Sequence, residues 1–250
     1  MSQYLVFQLH GPMASWGENA PGEVRHTSPL PSRSALLGLV AAALGIRRDD
    51  KEKLAVLHRH YQFLFCSSAR PRWARDYHTV QMPKEVRKKR YFCRREELLD
   101  PTILEALITK RDYYTDAWWV VAVAMTESAP YRLDELLEAL RHPVFPLYLG
   151  RKSHPLALPL DPQIVEGNAA QVLSRSTEHY QSKMSQLAGA LRSLNAMSSE
   201  YWWEGEHEGL HKQQTLSRRD QPVDRERWLF TERTYFKGIA LKEEMCISQK

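Results

Sequence analysis

Cysteine is scarce in this chain. Three are present in 250 residues, Cys66, Cys93 and Cys246, at long and unequal spacings. Such a set builds neither a disulfide framework nor a zinc knuckle, and it points to a reducing cytoplasm. Long apolar runs are missing too. No stretch approaches the ~20 residues of a membrane span, and Met1 to Gly11 offers no basic region or apolar core of a signal peptide. A soluble, intracellular protein with no membrane partner is expected. There is no long internal repeat. Gly150 lacks the upstream glycine of a phosphate-binding P-loop, which excludes nucleotide hydrolysis of that kind. An apolar fraction of 43% excludes disorder on the scale of the chain and allows one large domain or two small ones.

What is abundant is positive charge in one place. Residues 80 to 111 hold nine Lys or Arg against five Asp or Glu, a net of +4 out of +5 for the whole chain. The run includes Lys84, Arg87, Lys88, Lys89, Arg90, Arg94 and Arg95. It is bracketed by Arg75-Asp76-Tyr77-His78-Thr79 and by a near copy, Arg111-Asp112-Tyr113-Tyr114-Thr115-Asp116. Segregated charge of one sign suits a polyanion. Aromatic residues at both ends (Tyr77, His78, Tyr91, Phe92, Tyr113, Tyr114) turn that toward single-stranded RNA, because bases stack on rings between cations. The competing reading is a solvated charged face with no partner.

Tyr4 to His10 reads as a central strand, ended by Gly11-Pro12. Residues 14 to 30 read as a loop carrying Trp16, Arg25 and His26. Pro31-Ser32-Arg33-Ser34 leads into an apolar helix, with Ser32 or Ser34 as N-cap and Gly45 beyond the C-terminus. The free N–H groups at its start, beside Arg33 and Ser34, could receive a phosphate or could simply be capped. Gln62 to Cys66 and Ala117 to Met125 are strands, and Ser128 to His142 is a helix with Leu133, Leu136, Leu137 and Leu140 on one stripe. Thr102 to Glu105 resembles a capping box opening a short helix within the arm. Pro143 to Pro155 forms a constrained loop in which Gly150, Arg151, Lys152 and Ser153 could make an anion nest. Leu156 to Val165 supplies a closing strand, Asn168 to Met197 a helix, and Gln213 to Lys250 short strands of a second small β layer. The order is α+β, strand–helix–strand–(arm)–strand–helix–strand, which is the ferredoxin-like βαββαβ order.

Two patterns compete with RNA binding alone. His207-Glu208-Gly209-Leu210-His211 matches the H-E-x-x-H zinc motif, but its glycines and its lack of helical period argue against the helix that chemistry needs, so it reads as an exposed loop. His78 or His154, with a nearby Tyr and Lys152, could cleave RNA by general acid–base chemistry without a metal. That metal-independent endoribonuclease is the alternative function, and a pure protein adaptor is a third.

Several stretches together resemble one family. LHGPMASWG after the first strand, PSRSALLGLVAAALGIRRDD, RDYHTV, PLYLGRKSHPL, RRDQP and ERTYFKG are similar to the type I-E branch of the CRISPR-associated Cas-five family, subunits of the Cascade surveillance complex. The resemblance implies a ferredoxin-like (RRM-like) body over 1–165, a protruding basic thumb hairpin inserted at about 75–116, and a C-terminal helical and β region over 166–250. It implies a non-catalytic role in antiviral defence, gripping the 5′ handle of crRNA without a cofactor. It implies contacts with a Cas-seven family backbone subunit and the large Cascade subunit, and with target DNA near the PAM. In this subtype RNA cleavage is left to a Cas-six family subunit, whereas in the I-C subtype the Cas-five protein cleaves. Carried over residue by residue, the resemblance marks Tyr148, Leu149, Gly150, Arg151 and Lys152 in the loop, Arg111 on the returning thumb stem, and Arg75, Tyr77 and His78 on the outgoing one. It also marks Arg25 and the helix start at Arg33 and Ser34. Lys110 stands where the family carries a tryptophan.

Overall fold

The computed structural model describes residues 2–17, 20, 22–68, 71–84, 90–186, 197–224, 227 and 229–241. Arg87, Lys88 and Lys89 of the basic run, Trp228, Cys246 and residues 187–196 of the expected long helix lie outside the described residues.

The chain opens with β1 (Gln3–His10), followed by four two-residue strands, β2 (Met13–Ala14), β3 (Trp16–Gly17), β4 (Val24–Arg25) and β5 (Thr27–Ser28). The segment expected to be loop is thus stitched by short pairings. Helix α1 (Arg33–Ala43) is capped by Ser32, whose side chain accepts the Ala35 N–H, and Gly45 leaves it at φ 74°. Helix α2 (Lys51–His60), capped by Asp50, runs into β6 (Tyr61–Ser67). Then come β7 (Arg72–Pro83), the one-turn α3 (Arg94–Glu97), and β8 (Leu104–Thr115). The helix expected at Thr102–Glu105 is corrected here: Pro101–Ile103 makes a single 3₁₀ turn capped by Asp100, and Leu104 already belongs to β8. Strand pairing along all twelve residues of β7 overrides the local capping signal. β9 (Trp118–Met125), α4 (Leu133–Arg141), β10 (Gln163–Glu166), α5 (Ala169–Gln186), β11 (Tyr201–Trp203), β12 (Leu210–Asp224) and β13 (Leu229–Ala240) complete the chain.

Seven strands form one sheet in the order β10-β1-β9-β6-β11-β13-β12, every neighbouring pair antiparallel. The second β layer expected after residue 213 is corrected: β12 and β13 extend the main sheet through β11, which pairs with β6. The fold is mixed α/β, antiparallel throughout its main sheet, with a parallel β4–β8 pair in the hairpin sheet. β9 is apolar throughout because both its faces are covered. Trp119, Val121 and Val123 pack with α1 and α4, while Trp118, Val120 and Ala122 pack with α5. The two indoles keep their hydrogen bonds, Trp118 to Gln8 Oε1 at 3.2 Å and Trp119 to the Pro29 carbonyl at 3.1 Å. Burial of side chains this large, worth ~1.5–3 kcal/mol each, fixes the sheet from which everything else projects. No described helix is long and apolar enough to cross a membrane.

The HEGLH stretch is not helical. Gly209 turns the chain at φ 86°, and Leu210 and His211 already lie in β12. His207 is not the exposed loop residue expected: its Nδ1 meets the Tyr4 hydroxyl at 3.2 Å and burial lowers its pKa.

Candidate nucleic-acid interface

β7 and β8 form a long hairpin held at its stem by β2 and β4, which pair with β8 on the side away from β7. The antiparallel register sets Arg75 opposite Asp112, Asp76 opposite Arg111, Tyr77 opposite Lys110 and His78 opposite Thr109. Residues directly opposite share a face, and alternate residues change face. The expected site residues are therefore divided. Arg111, His78, Asp76 and Tyr113 lie on one face, joined by Arg25, which pairs with Arg111 through β4. Trp73, Arg75, Tyr77, Lys110 and Asp112 lie on the other.

On that second face Arg75 is tied down. Its Nε and Nη2 donate to Asp112 at 2.6 and 3.0 Å, and its guanidinium lies 5.0 Å from the Trp73 ring. Asp112 also takes His26 Nδ1 at 3.1 Å, and the Arg75 guanidinium holds its carboxyl below the usual carboxylate range. Tyr77 stands 61% exposed and Trp73 53% exposed beside this pair.

The loop from 147 to 155 packs against the first face. Tyr148 bridges to Pro155, the Leu149 N–H donates to the His154 carbonyl at 2.8 Å, and the Ser15 N–H donates to the Leu149 carbonyl at 3.0 Å. Gly150 has φ 86°, and a Cβ there would stand 1.7 Å from the Ser15 carbonyl oxygen, so only glycine lets the two backbones approach. His154 is buried, with its ring 6.0 Å from that of Tyr113 and its Nδ1 without a hydrogen bond. Burial first, and then Arg151, push its pKa down, so it stays neutral at pH 7. The Arg151 pKa is also lowered, first by partial burial, next by Arg111, with Arg25 adding to it and Asp112 and Asp76 opposing. Three guanidiniums from three separate segments thus lie within one another's field. Among the described residues none of Arg25, Arg111 and Arg151 forms an ion pair. Arg25 is steadied by the Ala20 carbonyl at 2.5 Å. Tyr148 is 39% exposed, and Lys152 of the same loop is exposed.

Two sets of expected residues are not among the open groups of this face. Arg33 is buried. It pairs with Glu204, donates to the His58 and Tyr61 carbonyls at 2.6 and 2.8 Å, and its backbone N–H is taken by Asp220 Oδ2 at 2.9 Å. The helix start expected to hold a phosphate already holds a carboxylate, and Ser34 Oγ shares its hydrogen bond with Ser32 Oγ at 3.2 Å. Leu149 is fully buried with both backbone groups engaged, and it anchors the loop. Asp76 and Ser15 are the contributors that sequence reasoning passed over as site residues, and Tyr113, expected only as a stacking ring, also holds Asp76. The doubled Arg-Asp-Tyr was the available signal.

A family model described as CRISPR-associated protein (Cas_Cas5) matches residues 4–236, and the chain belongs to this Cas-five family. It is 37% identical over 168 residues to the CRISPR system Cascade subunit CasD of Escherichia coli (strain K12), a match covering 64% of this chain and 70% of that one. That likeness places it in the type I-E branch. A chain of a solved CRISPR RNA-guided surveillance complex shares its fold with a TM-score of 0.61 at 24% identity, over 95% of this chain and 91% of that one. A second solved Cas protein aligns with a TM-score of 0.53 at 22% identity, over 96% and 95%.

Proposed function

We propose that this chain is a non-catalytic subunit of a Cascade-type surveillance complex that binds the 5′ handle of crRNA and caps the backbone of the assembly. One observation carries the reading. Arg25, Arg111 and Arg151 converge, without ion-pair partners among the described residues, near an exposed tyrosine and Lys152, which is the chemistry of phosphates flanked by unstacked bases. The order closing–first–third–second strand supports a ferredoxin-like (RRM-like) body over 1–165. In this reading the β7–β8 hairpin is its thumb within about 75–116, and 166–250 is an appended C-terminal region. The face bearing Trp73 and Tyr77 suits a protein neighbour, a Cas-seven family backbone subunit. The large subunit, with target DNA near the PAM, lies close by in the same cytoplasmic particle.

The test is binding of crRNA with its native handle against a scrambled handle, in the assembled complex, by wild type and by Arg111→Ala with Arg151→Ala. Handle preference lost in the double variant supports the reading; equal binding of both RNAs by wild type overturns it. With about four phosphates neutralised, the slope of log affinity on log salt should be near −3. Running the same mixtures with EDTA reads the alternative directly, since a discrete RNA product would mark a metal-independent endoribonuclease.

A further inference from the structure

The two Arg-Asp-Tyr segments lie antiparallel on each other, so each arginine faces the other segment's aspartate. The two cross-strand pairs are alike in sequence and differ in state. Arg75 and Asp112 are closed by two hydrogen bonds at 2.6 and 3.0 Å. Asp76 and Arg111 form no ion pair. Asp76 instead accepts the Tyr113 hydroxyl on Oδ1 at 3.1 Å, and His78 Nε2 stands 3.7 Å from Oδ2. Its side chain is 48% exposed. Arg111 belongs to the group with Arg25 and Arg151, and Asp76 lies close enough to act on the charge of Arg151.

A half-exposed carboxylate kept uncollapsed among three guanidiniums is unexpected in a site for phosphate alone. It repels the anion that the arginines attract. A carboxylate accepts hydrogen bonds and donates none, so what it recognises is a donor edge. On a ribonucleotide the donors are the 2′-hydroxyl, the ring N–H of uracil or guanine and the exocyclic amines, and the donor at the position that separates cytosine from uracil is the exocyclic amine. Uracil presents a carbonyl oxygen where cytosine presents that amine, and two acceptors repel. Tyr113 is placed to orient the carboxylate: its hydroxyl holds Asp76 while its ring rests against buried His154.

We infer that Asp76, oriented by Tyr113, accepts a hydrogen bond from the exocyclic amine of one base of the bound RNA while the arginines hold the adjoining phosphates. The site thereby selects an amine-bearing base over uracil at a single position. This rests on the RNA-binding reading above and adds base selection to it. Tyr113 is a positioning residue, and Asp76 is the specificity-determining one.

The test uses the full chain and short single-stranded RNAs of one length in which one position at a time is cytidine or uridine. Wild type should prefer cytidine at one position by about tenfold, the scale of one good base contact. Asp76→Asn, whose amide can both donate and accept, should bring that preference close to one while leaving the salt slope unchanged. Tyr113→Phe should lower it to about threefold. Melting temperatures near wild type for both variants would exclude misfolding, since Asp76 lies on the exposed hairpin. A uniformly tighter grip on every RNA by Asp76→Asn would overturn the inference, because that is what removing a repelling charge from a plain phosphate clamp gives. So would a cytidine preference that survives the substitution. A wild type that binds all the RNAs equally overturns base selection alone, whereas one that binds none overturns the RNA-binding reading and base selection with it.

Discussion

The protein holds two groups of three arginines that differ in almost everything except residue type. Arg33, Arg218 and Arg233 interlock with Glu204 and Asp220 where α1 meets the β12–β13 hairpin, and each of these side chains is about a tenth exposed or less. Arg233 reaches Asp220 at 2.7 and 2.9 Å, and Arg218 donates to the Leu30 carbonyl at 3.0 Å. Burial, with Arg233 beside it, pulls the Arg33 pKa down to about 10, which still leaves it charged at pH 7. Among the described residues Arg25, Arg111 and Arg151 form no ion pair, although Asp76 stands opposite Arg111. A buried charge must be paired on the spot, whereas an exposed one can wait for a ligand. The first group therefore ties elements together, and the second is left open, as the proposed RNA site requires. The difference lies in where acidic residues from distant parts of the chain arrive.

The largest effect should come from breaking the buried group. Glu204→Ala leaves Arg33 and Arg233 short of a partner in a nearly dry setting, at a cost of ~3–5 kcal/mol. A fall in melting temperature on the order of 10 °C is expected, with RNA affinity of the folded fraction unchanged. A variant as stable as wild type would dissolve the distinction between the two groups. Next in size is Gly150→Ala, where a left-handed φ and the overlap with the Ser15 carbonyl act together. Stability should fall by about 2 kcal/mol or more. Because the displaced loop carries Arg151, RNA affinity should fall as well. Loss of stability with full affinity would show that the loop does not position the site.

Much of the scaffold was legible in the sequence where local signals and tertiary demands agree. AWWVVAVAM became β9 because an unbroken apolar run needs cover on both sides, and Ser32 and Gly45 bounded α1 where their chemistry placed them. Gly150 announced a tight turn for the reason its φ now gives. What was illegible depends on distant pairings. The Thr102–Glu105 signal lost to strand pairing, and β12 and β13 joined the main sheet only because β11 docks on β6. Arg33 carries the same side chain as Arg111, and distant partners, Glu204 171 residues away among them, make it structural. Likewise nothing in two copies of Arg-Asp-Tyr says that one cross-strand pair closes and the other stays open. That follows from register and from Tyr113.

The open group should respond in affinity and not in stability. Arg111→Ala or Arg151→Ala should each weaken RNA binding about tenfold, the scale of one charge-assisted contact. Each should make the salt slope shallower by about 0.7, with the unfolding midpoint unmoved. A shared drop in stability would place these arginines with the buried group.

The smallest effect separates buried titratable groups from exposed arginines by pH. Burial lowers the pKa of His10, His154 and His207 below the ordinary histidine value of 6.5. The unfolded chain therefore binds these protons first, and stability present above pH 6.5 is lost as pH falls through the folded-state values. Asp112, lowered by its hydrogen bond to Arg75, adds its loss only below 3.8. Urea midpoints measured at about pH 7.5 and 5 should thus decline, and His207→Gln, which keeps a polar group near Tyr4 but cannot titrate, should decline less. An equal decline in the variant would mean that His207 is already solvated in the folded protein.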